Sequence, residues 1–289
     1  MNPNPETTDI ARPAAGIGGS FIHQAGKMMA CLDVDGTLVD HDGHMSEAVR
    51  QAGRAVVADG HTVVVSTGRS LPATLPIIES LGVTHGYAVC SNGAVTVRID
   101  VSLEQGYEVI DKRIFDPARA LDALQQRLPN AKYAIETASG GFLSTERFQD
   151  MSFGLRAQGT SLRRMKRTPA VRLVVNSDDA TADEFAEAVE GIGLHGVTYS
   201  VGWSAWLDIA AAGVTKASGV EALRDQLGVP TEKTLACGDG RNDIEMLAWA
   251  ARGVAMGQAP AEVIAVADEV TGSVHEDGLV PVLTSILED

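Results

Sequence analysis

The amino-acid sequence predicts an α/β protein with a parallel sheet core and an inserted α+β domain. Short apolar runs alternate with amphipathic helical segments near both ends of the chain, which is typical of βαβ units. Residues 114–204, between these two regions, combine hairpin-like alternation with separate helices. This change of pattern favours a second unit of the α+β class within the first.

Length and composition limit the class of protein. The 289 residues suit two domains or one large domain, and 45% of them are hydrophobic, which is enough for substantial cores. The net charge of -15 argues against nucleic acid and anionic membranes as general partners. No stretch approaches the roughly 18 apolar residues that a membrane-spanning helix needs. Residues 1–27 lack the pattern of a signal peptide, so we expect a flexible tail.

The three cysteines, Cys31, Cys90 and Cys237, each fall in a predicted strand. An odd number of cysteines inside strands suits reduced, buried thiols better than a disulfide framework. We therefore expect a soluble cytoplasmic protein, either a monomer or a small homo-oligomer.

The first part of the core alternates regularly between strands and helices. The predicted order is a strand at 28–32, a helix at 46–59, a strand at 61–66, a helix at 71–81 and a strand at 87–90. Three strands joined by two helices form a parallel βαβαβ unit, so we predict a Rossmann-like core.

The remaining elements divide the chain into domains. Residues 95–114 alternate like a hairpin, and regular strand–helix alternation returns after residue 205 with a helix at 216–227 and a buried strand at 234–237. We therefore assign residues 28–113 and 205–289 to a discontinuous Rossmann-like core and residues 114–204 to an inserted α+β domain.

Polar side chains follow the first three predicted strands. Asp33 and Asp35 come after the first, Thr67 and Arg69 after the second, and Asn92 after the third. The carboxyl ends of strands in open parallel sheets face the ligand crevice, so we expect these side chains to converge. Two carboxylates this close together are unfavourable unless a cation lies between them or one carries a proton. A strand followed by a simple Asx turn is the alternative interpretation of the first pair.

Five short motifs occupy predicted strand ends or helix starts. They are Asp-Val-Asp-Gly-Thr-Leu at 33–38, Ser-Thr-Gly-Arg at 66–69, Ser-Asn-Gly-Ala at 91–94, Gly-Val-Thr-Lys at 213–216 and Gly-Asp-Gly-Arg-Asn-Asp at 238–243. With these motifs the chain resembles the haloacid dehalogenase-like phosphatases, and among them the Cof-type group with a large α+β cap. The resemblance extends from about residue 28 to the C-terminus and is specific in the core and weak in the cap. One departure is Gln258, which stands where the group usually has Asn.

The resemblance implies catalysis through an aspartyl-phosphate intermediate. Asp33 would attack phosphorus, and Asp35 would be the general acid for the leaving alcohol and then the base for water. Lys216 would pair with the nucleophile and with phosphoryl oxygens. Mg²⁺ would be held by Asp33, the backbone carbonyl of Asp35, and Asp239, with Asp243 close to the metal directly or through water. Acidic residues that stabilise a helix N-terminus are the alternative for the last two.

The same resemblance implies a set of phosphate and substrate contacts. Thr67 would donate a hydrogen bond to a phosphate oxygen together with the amide of Gly68, and Asn242 would orient its neighbours. Arg69 and Asn92 would contact substrate or loops, or would only fix turns through hydrogen bonds. A basic run at 163–167 would either attract a second anionic group of the substrate or form a solvated turn.

These residues predict a Mg²⁺-dependent phosphatase that hydrolyses a small phosphorylated metabolite, with sugar phosphates as the first candidates. A phosphohexomutase, which transfers the phosphoryl group to another hydroxyl, is the first alternative. A catalytically idle binding protein on the same fold is the second. The joint presence of Asp33, Asp35, Lys216 and Asp239 argues against the idle protein. We expect a small phosphate ester as the partner of the site, without nucleic acid or membrane.

Overall fold

The computed structural model describes residues 26–146, 151–178, 181–201 and 205–287. Of the tail expected over residues 1–27, residues 1–25 lie outside the described residues. Within the described part of the chain, no helix has both the length and the apolar character needed to cross a bilayer.

The described residues form two sheets and the helices that cover them. In chain order the strands are β1 (Met29–Leu32), β2 (Thr62–Ser66), β3 (His85–Cys90), β4 (Val95–Asp100), β5 (Tyr107–Lys112), β6 (Lys132–Thr137), β7 (Phe142–Ser144), β8 (Gln158–Gly159), β9 (Ala170–Asn176), β10 (Val197–Val201), β11 (Trp206–Ala211), β12 (Thr234–Gly238), β13 (Arg252–Ala255) and β14 (Glu269–Val270). The α-helices are α1 (Glu47–Ala58), α2 (Leu71–Ser80), α3 (Ala118–Arg127), α4 (Leu162–Met165), α5 (Ala182–Glu190), α6 (Lys216–Leu227), α7 (Ile244–Trp249), α8 (Ala261–Ile264) and α9 (Leu279–Ser285).

The first sheet has the strand order β14-β13-β12-β1-β2-β3-β4-β5. The strands from β14 to β3 run parallel, and β4 and β5 are antiparallel. Every residue of β1 is buried, and this strand pairs with β12 on one side and β2 on the other. The predicted parallel α/β core is therefore confirmed, and β1 lies at its centre.

Side chains of β1 alternate between two hydrophobic cores. Ala30 and Leu32 belong to the core that includes apolar residues of α1 and α9, whereas Met29 and Cys31 belong to the core that includes residues of α6 and α7. Successive side chains of a strand point to opposite faces of its sheet. A strand covered by helices on both faces therefore has a continuous apolar sequence, which is why β1 lacks polar alternation.

The second sheet has the order β10-β11-β9-β6-β7-β8 and is antiparallel except for the β7–β8 pair. Strand β11 pairs with β9 and β10, so the second sheet extends to Ala211. This differs from the predicted return to the core at residue 205. Leu207 and Ile209 are buried in a separate hydrophobic core that includes residues of β6 and β9, and the same alternation would suit either sheet. Which strands pair with β11 depends on residues far away in the chain, so the alternation within β11 does not predict its partners.

Candidate active site

The loop after β1 carries Asp33 and Asp35 at the carboxyl edge of the first sheet and turns at Gly36. Gly36 has a φ of +83°, and a Cβ at this position would lie 2.1 Å from Oδ2 of Asp239. Glycine is therefore required both by the backbone conformation and by the close approach of the loop after β12. The turn thus allows two loops that carry carboxylates to meet.

Three buried carboxylates lie close together at this edge, and two of them contact one ammonium group. The side chains of Asp33, Asp239 and Asp243 have oxygens that lie within 4.8 Å of one another. Nζ of Lys216, the first residue of α6, lies 2.5 Å from Oδ1 of Asp33 and 2.7 Å from Oδ1 of Asp243. Residues from the loops after β1 and β12 and from the start of α6 therefore form one cluster with more carboxylates than cations.

Burial and charge shift the pKa values of this cluster. Burial, with repulsion from Asp243, raises the pKa of Asp33 well above its ordinary range, against the opposing effect of Lys216. Burial also raises the pKa of Asp239 to about 6. Burial alone would lower the pKa of Lys216, but the attraction of Asp243 and Asp33 together raises it. The surplus of buried negative charge and the all-oxygen donor set fit a hard divalent cation such as Mg²⁺.

Asp243 also fixes the loop that precedes it. Its Oδ2 accepts hydrogen bonds from the backbone N–H groups of Asp239 at 3.2 Å and Gly240 at 2.9 Å, while its Oδ1 accepts from Lys216. Both oxygens thus have protein donors. Asp243 thus fixes the backbone of the loop after β12 and connects that loop to Lys216.

Asp35 forms an ion pair with Arg69, which follows β2. Nε of Arg69 lies 2.9 Å from Oδ2 of Asp35, and its terminal nitrogen lies 2.5 Å from Oδ1. The arginine side chain is buried, whereas half of the aspartate side chain is exposed to solvent. The sequence places Asp35 among other negative groups, but the structure adds a guanidinium group that contacts both of its oxygens.

The remaining predicted residues lie on neighbouring loops of the same edge. Oγ1 of Thr67 accepts a hydrogen bond from the backbone of Arg69 at 3.0 Å, so its own proton can be donated elsewhere. Gly68 lines a cavity of about 180 Å³ together with Asp33, Asp35 and Asp239. The loop after β2 therefore lies next to the carboxylates at Gly68.

Asn92 joins the two sheets. Its Oδ1 accepts a hydrogen bond from Nδ2 of Asn242 at 3.0 Å, and its Nδ2 donates to Oδ2 of Asp208, a residue of β11, at 3.5 Å. Asn92 has a φ of +54°, a left-handed conformation that asparagine tolerates better than most residues. The turn after β3 therefore contacts both the loop after β12 and the second sheet.

Gln258, which stands where the Cof-type group usually has Asn, contacts both the turn after β1 and Asp239. Its Nε2 donates to the carbonyl oxygen of Gly36 at 2.5 Å and to Oδ2 of Asp239 at 3.0 Å. Its Oε1 accepts from the backbone of Val274 at 3.0 Å. Glutamine at this position thus holds the turn after β1 and the carboxylate of Asp239 together.

Sequence reasoning missed the polar residues that the second sheet contributes. Oγ of Ser91 donates to Oε2 of Glu136 at 2.6 Å, and Nε of Arg172 lies 2.6 Å from Oδ1 of Asp208. Burial raises the pKa of Glu136, and the hydrogen bond from Ser91 opposes this shift. A usable signal was present for Arg172 and Asp208, because each lies between two apolar residues of its strand.

Comparison with known proteins identifies the family. A model of the haloacid dehalogenase-like hydrolases matches residues 30–283. The chain belongs to the haloacid dehalogenase-like hydrolases. Phosphatase YwpJ of Bacillus subtilis (strain 168) is 27% identical over 297 residues, a match that covers 90% of this chain and 99% of YwpJ.

Two further comparisons extend this result. The solved structure of BT4131, described as a haloacid dehalogenase subclass IIB sugar phosphatase, is similar with a TM-score of 0.75 and 25% sequence identity, covering 90% of this chain and 98% of BT4131. The protein named Endoribonuclease YBEY, chloroplastic, from Arabidopsis thaliana is 27% identical over 276 residues. That match covers 86% of this chain but 44% of the plant protein, so this haloacid dehalogenase-like chain spans less than half of it.

The family and the Cof-type group inferred from the five motifs are confirmed by these comparisons. The predicted enzyme class, a phosphoric monoester hydrolase, agrees with the relatives that are named as phosphatases.

Proposed function

We propose that this haloacid dehalogenase-like hydrolase is a Mg²⁺-dependent phosphatase of small phosphorylated metabolites, with sugar phosphates as the first candidates. The observation that carries the proposal is the buried cluster of three carboxylates, two of which contact Lys216. Such a cluster costs free energy of folding unless a cation and an anionic substrate use it. Relatives named as phosphatases, and a structural neighbour described as a sugar phosphatase, support this choice of substrate.

Asp33, Asp239 and the backbone carbonyl of Asp35 would hold the Mg²⁺ ion, with Asp243 beside it. When bound, the ion supplies positive charge that stabilises the oxygens of the transferred phosphoryl group. The protein's part is to hold the carboxylates in place. Asp243 does so through the two backbone N–H groups that it accepts from.

Asp33 is the proposed nucleophile. One of its carboxylate oxygens forms a bond to phosphorus while the bond from phosphorus to the alcohol oxygen breaks, and Asp35 donates a proton to that oxygen. Water then attacks the phosphorus of the aspartyl phosphate and gives a proton to Asp35, so Asp33 regains its carboxylate. Lys216 contacts Oδ1 of Asp33, which leaves Oδ2 for attack.

The loop after β2 would bind the phosphoryl oxygens. Thr67 would donate its hydroxyl proton, and the backbone of Gly68 lines the same cavity as Asp33. Arg69 would orient Asp35 through its two contacts with that carboxylate. These roles use preformed donors near the position where negative charge develops.

The test is Asp33→Asn, assayed as phosphate release from p-nitrophenyl phosphate with and without Mg²⁺. An amide of the same shape still accepts from Lys216 but is a poor nucleophile, so we expect turnover to fall by at least about 10³-fold. The thermal midpoint should stay near that of the unchanged protein. Retained turnover would reject Asp33 as the nucleophile. Phosphate release without a bisphosphate activator separates hydrolysis from the mutase alternative.

The location of the enzyme, its partner, its oligomeric state and the roles of its two sheets are part of the same proposal. A cytoplasmic location is supported by Cys31, Cys90 and Cys237, which are buried free thiols within the described residues. The partner would be a small phosphate ester, and the protein would act as a monomer or small homo-oligomer. The first sheet would be the catalytic core, and the second sheet, from about residue 114 through Ala211, would be the cap that selects the substrate.

A further inference from the structure

A cavity between the two sheets continues from the candidate active site. It has a volume of about 280 Å³ and is lined by Lys216 and Asn92 of the first unit and by strands β10 and β11 of the second. The smaller cavity, of about 180 Å³, contains Asp33 and Asp35. The residues that line both cavities are Ser200, Val201, Asp208, Arg241 and Asn242. A phosphate ester bound at Asp33 would therefore extend its organic part into the larger cavity.

The charges on the wall of this larger cavity are already balanced. Each cation that lines it has a carboxylate oxygen within 2.8 Å: Lys216 contacts Asp33 and Asp243, Arg172 contacts Asp208, and Arg241 contacts Glu262. A second phosphate or carboxylate on the substrate would compete with these carboxylates for the cations and would also face Glu245. The cavity therefore favours an uncharged leaving group.

Asp208 is the carboxylate that lies between the two cavities. Its Oδ1 accepts from Nε of Arg172 at 2.6 Å; among the described residues, the contact of its Oδ2 is a long one, 3.5 Å from Nδ2 of Asn92. A carboxylate oxygen has room for two donors. The side chain is 17% exposed, so it remains accessible to a molecule in the cavity. A hydroxyl group is an uncharged donor that can supply such a hydrogen bond.

Arg172 holds this carboxylate in position, and Phe153 and Ser152 contact its guanidinium group. Its side chain is 3% exposed, and its guanidinium group lies 5.7 Å from the centre of the Phe153 ring and 3.4 Å from Oγ of Ser152. The carbonyls of Ser152 and Phe153 accept hydrogen bonds from Ser70 at 2.8 and 2.6 Å. The support of Asp208 is thus connected to the start of α2 in the first unit.

We propose that Asp208 is the specificity-determining residue of this enzyme and that it accepts hydrogen bonds from the hydroxyl groups of an uncharged, polyhydroxylated leaving group. Within the sugar phosphates already proposed as substrates, Asp208 would select monophosphates with a polyhydroxylated leaving group over bisphosphates and phosphorylated acids. Arg172 is the positioning residue for Asp208. The proposal rests on the phosphatase activity proposed above and adds the part of the substrate that the second sheet recognises.

The experiment compares kcat/KM for three sets of esters in the presence of Mg²⁺. The first set is polyol monophosphates of three to six carbons, the second is n-alkyl phosphates of the same lengths, and the third is fructose 1,6-bisphosphate and phosphoglycolate. We expect the unchanged protein to prefer at least one polyol ester to its alkyl counterpart by about tenfold or more, because a site built to pair with hydroxyls rejects analogues without them. It should also prefer that ester to the third set.

The variant Asp208→Asn should lower the ratio of polyol to alkyl kcat/KM by about tenfold or more, since it removes the charge of the acceptor. Arg172→Lys should lower the same ratio mainly through a higher KM for the polyol ester. A lysine lacks the planar guanidinium group, so it should orient the carboxylate of Asp208 less well. The control is Asp178→Asn, which changes an exposed ion pair with Lys132 on the second sheet and should leave the ratio unchanged.

The possible results distinguish the inference about Asp208 from the proposed phosphatase activity. Equal rates for polyol and alkyl esters in the unchanged protein, a preference for the bisphosphate or phosphoglycolate, or an unchanged ratio in Asp208→Asn would overturn this inference alone. If Asp208→Asn does not fold, the ratio in Arg172→Lys tests the role of Asp208. Absence of Mg²⁺-dependent phosphate release from every ester would overturn the proposed function and this inference together.

Discussion

Nζ of Lys216 lies 2.5 Å from Oδ1 of Asp33, although 183 positions separate the two residues in the chain. The lysine is the first residue of α6, where a positive charge is unfavourable for the helix dipole. Its side chain is also fully buried. The helix dipole and burial thus both disfavour the charge of Lys216, and its contacts with Asp33 and Asp243 offset these two effects. This pattern is typical of a residue retained for chemistry.

Replacement of this lysine by methionine, Lys216→Met, should abolish most activity and lower stability. Buried carboxylates that lose their partner cost about 3–5 kcal/mol of unfolding free energy. Loss of a preorganised cation at the nucleophile should reduce kcat by about 10²–10³-fold. Phosphate release and urea unfolding measure the two effects.

Lys132→Met is the matched control for this variant. Lys132 pairs with Asp178 in an exposed ion pair, so its loss should cost at most about 1 kcal/mol and leave kcat unchanged. Full activity in Lys216→Met would show that the buried ammonium group has only a structural role.

The effect of Asp35→Asn should depend on the leaving group. A general acid matters most for an alcohol that leaves poorly without a proton, and least for p-nitrophenol. We expect kcat/KM to fall by about 10²–10⁴-fold for an alkyl phosphate and clearly less for p-nitrophenyl phosphate. Equal losses with both esters would argue that Asp35 acts through its backbone or through Arg69 and not through proton transfer.

Removal of the amide in Gln258→Ala should weaken the metal site. Gln258 donates to Oδ2 of Asp239 and to the carbonyl of Gly36, and loss of such supporting contacts usually costs about 10–100-fold in metal affinity. The Mg²⁺ concentration for half-maximal activity should rise by about tenfold, with a smaller change in the maximal rate.

Gln258→Asn tests whether the length of this side chain matters. Asparagine keeps the amide but is one methylene shorter, so it should not reach both Gly36 and Asp239 and should give an intermediate Mg²⁺ requirement. An unchanged requirement in both variants would contradict the supporting role of Gln258.

The core and its polar strand ends could be predicted because their signals are local. The apolar sequence of β1 reflects burial on both faces, and the residues after β1, β2 and β3 must lie at one edge once the strands are parallel. Asp33 and Asp35 therefore required no knowledge of distant residues. Lys216 and Asp239 required the resemblance to a known family, since a lysine at a helix start is usually solvated.

The second sheet could not be predicted to the same extent. The strand β11 alternates like a core strand, and only its pairing with β9 and β10 assigns it to the second sheet. Arg172 and Asp208 lie 36 residues apart on paired strands, and neither is part of a recognisable motif. Their meeting depends on which strands pair, and the pairing of β9 with β11 involves segments that are distant in the chain.

The last prediction concerns pH and stability away from the active site. Glu221 of α6 accepts hydrogen bonds from Nε of Arg224 at 2.7 Å and from Nε1 of Trp249 at 2.8 Å. The contact with Arg224 is the main cause that lowers the pKa of Glu221 from 4.5 to about 2. A carboxyl group with a lower pKa in the folded state stabilises the protein above its unfolded pKa and loses this effect as pH falls toward the folded value.

The variant Glu221→Gln should therefore be less stable than the unchanged protein at pH 7, and the difference should shrink as pH falls from 4.5 toward 2. The side chain is 46% exposed, so solvent screening limits the difference at pH 7 to about 1 kcal/mol or less. Urea unfolding at several pH values measures it, with Glu190→Gln, an exposed glutamate of α5, as the control. A difference that is constant with pH would assign the loss to packing around Trp249 and not to the charge of Glu221.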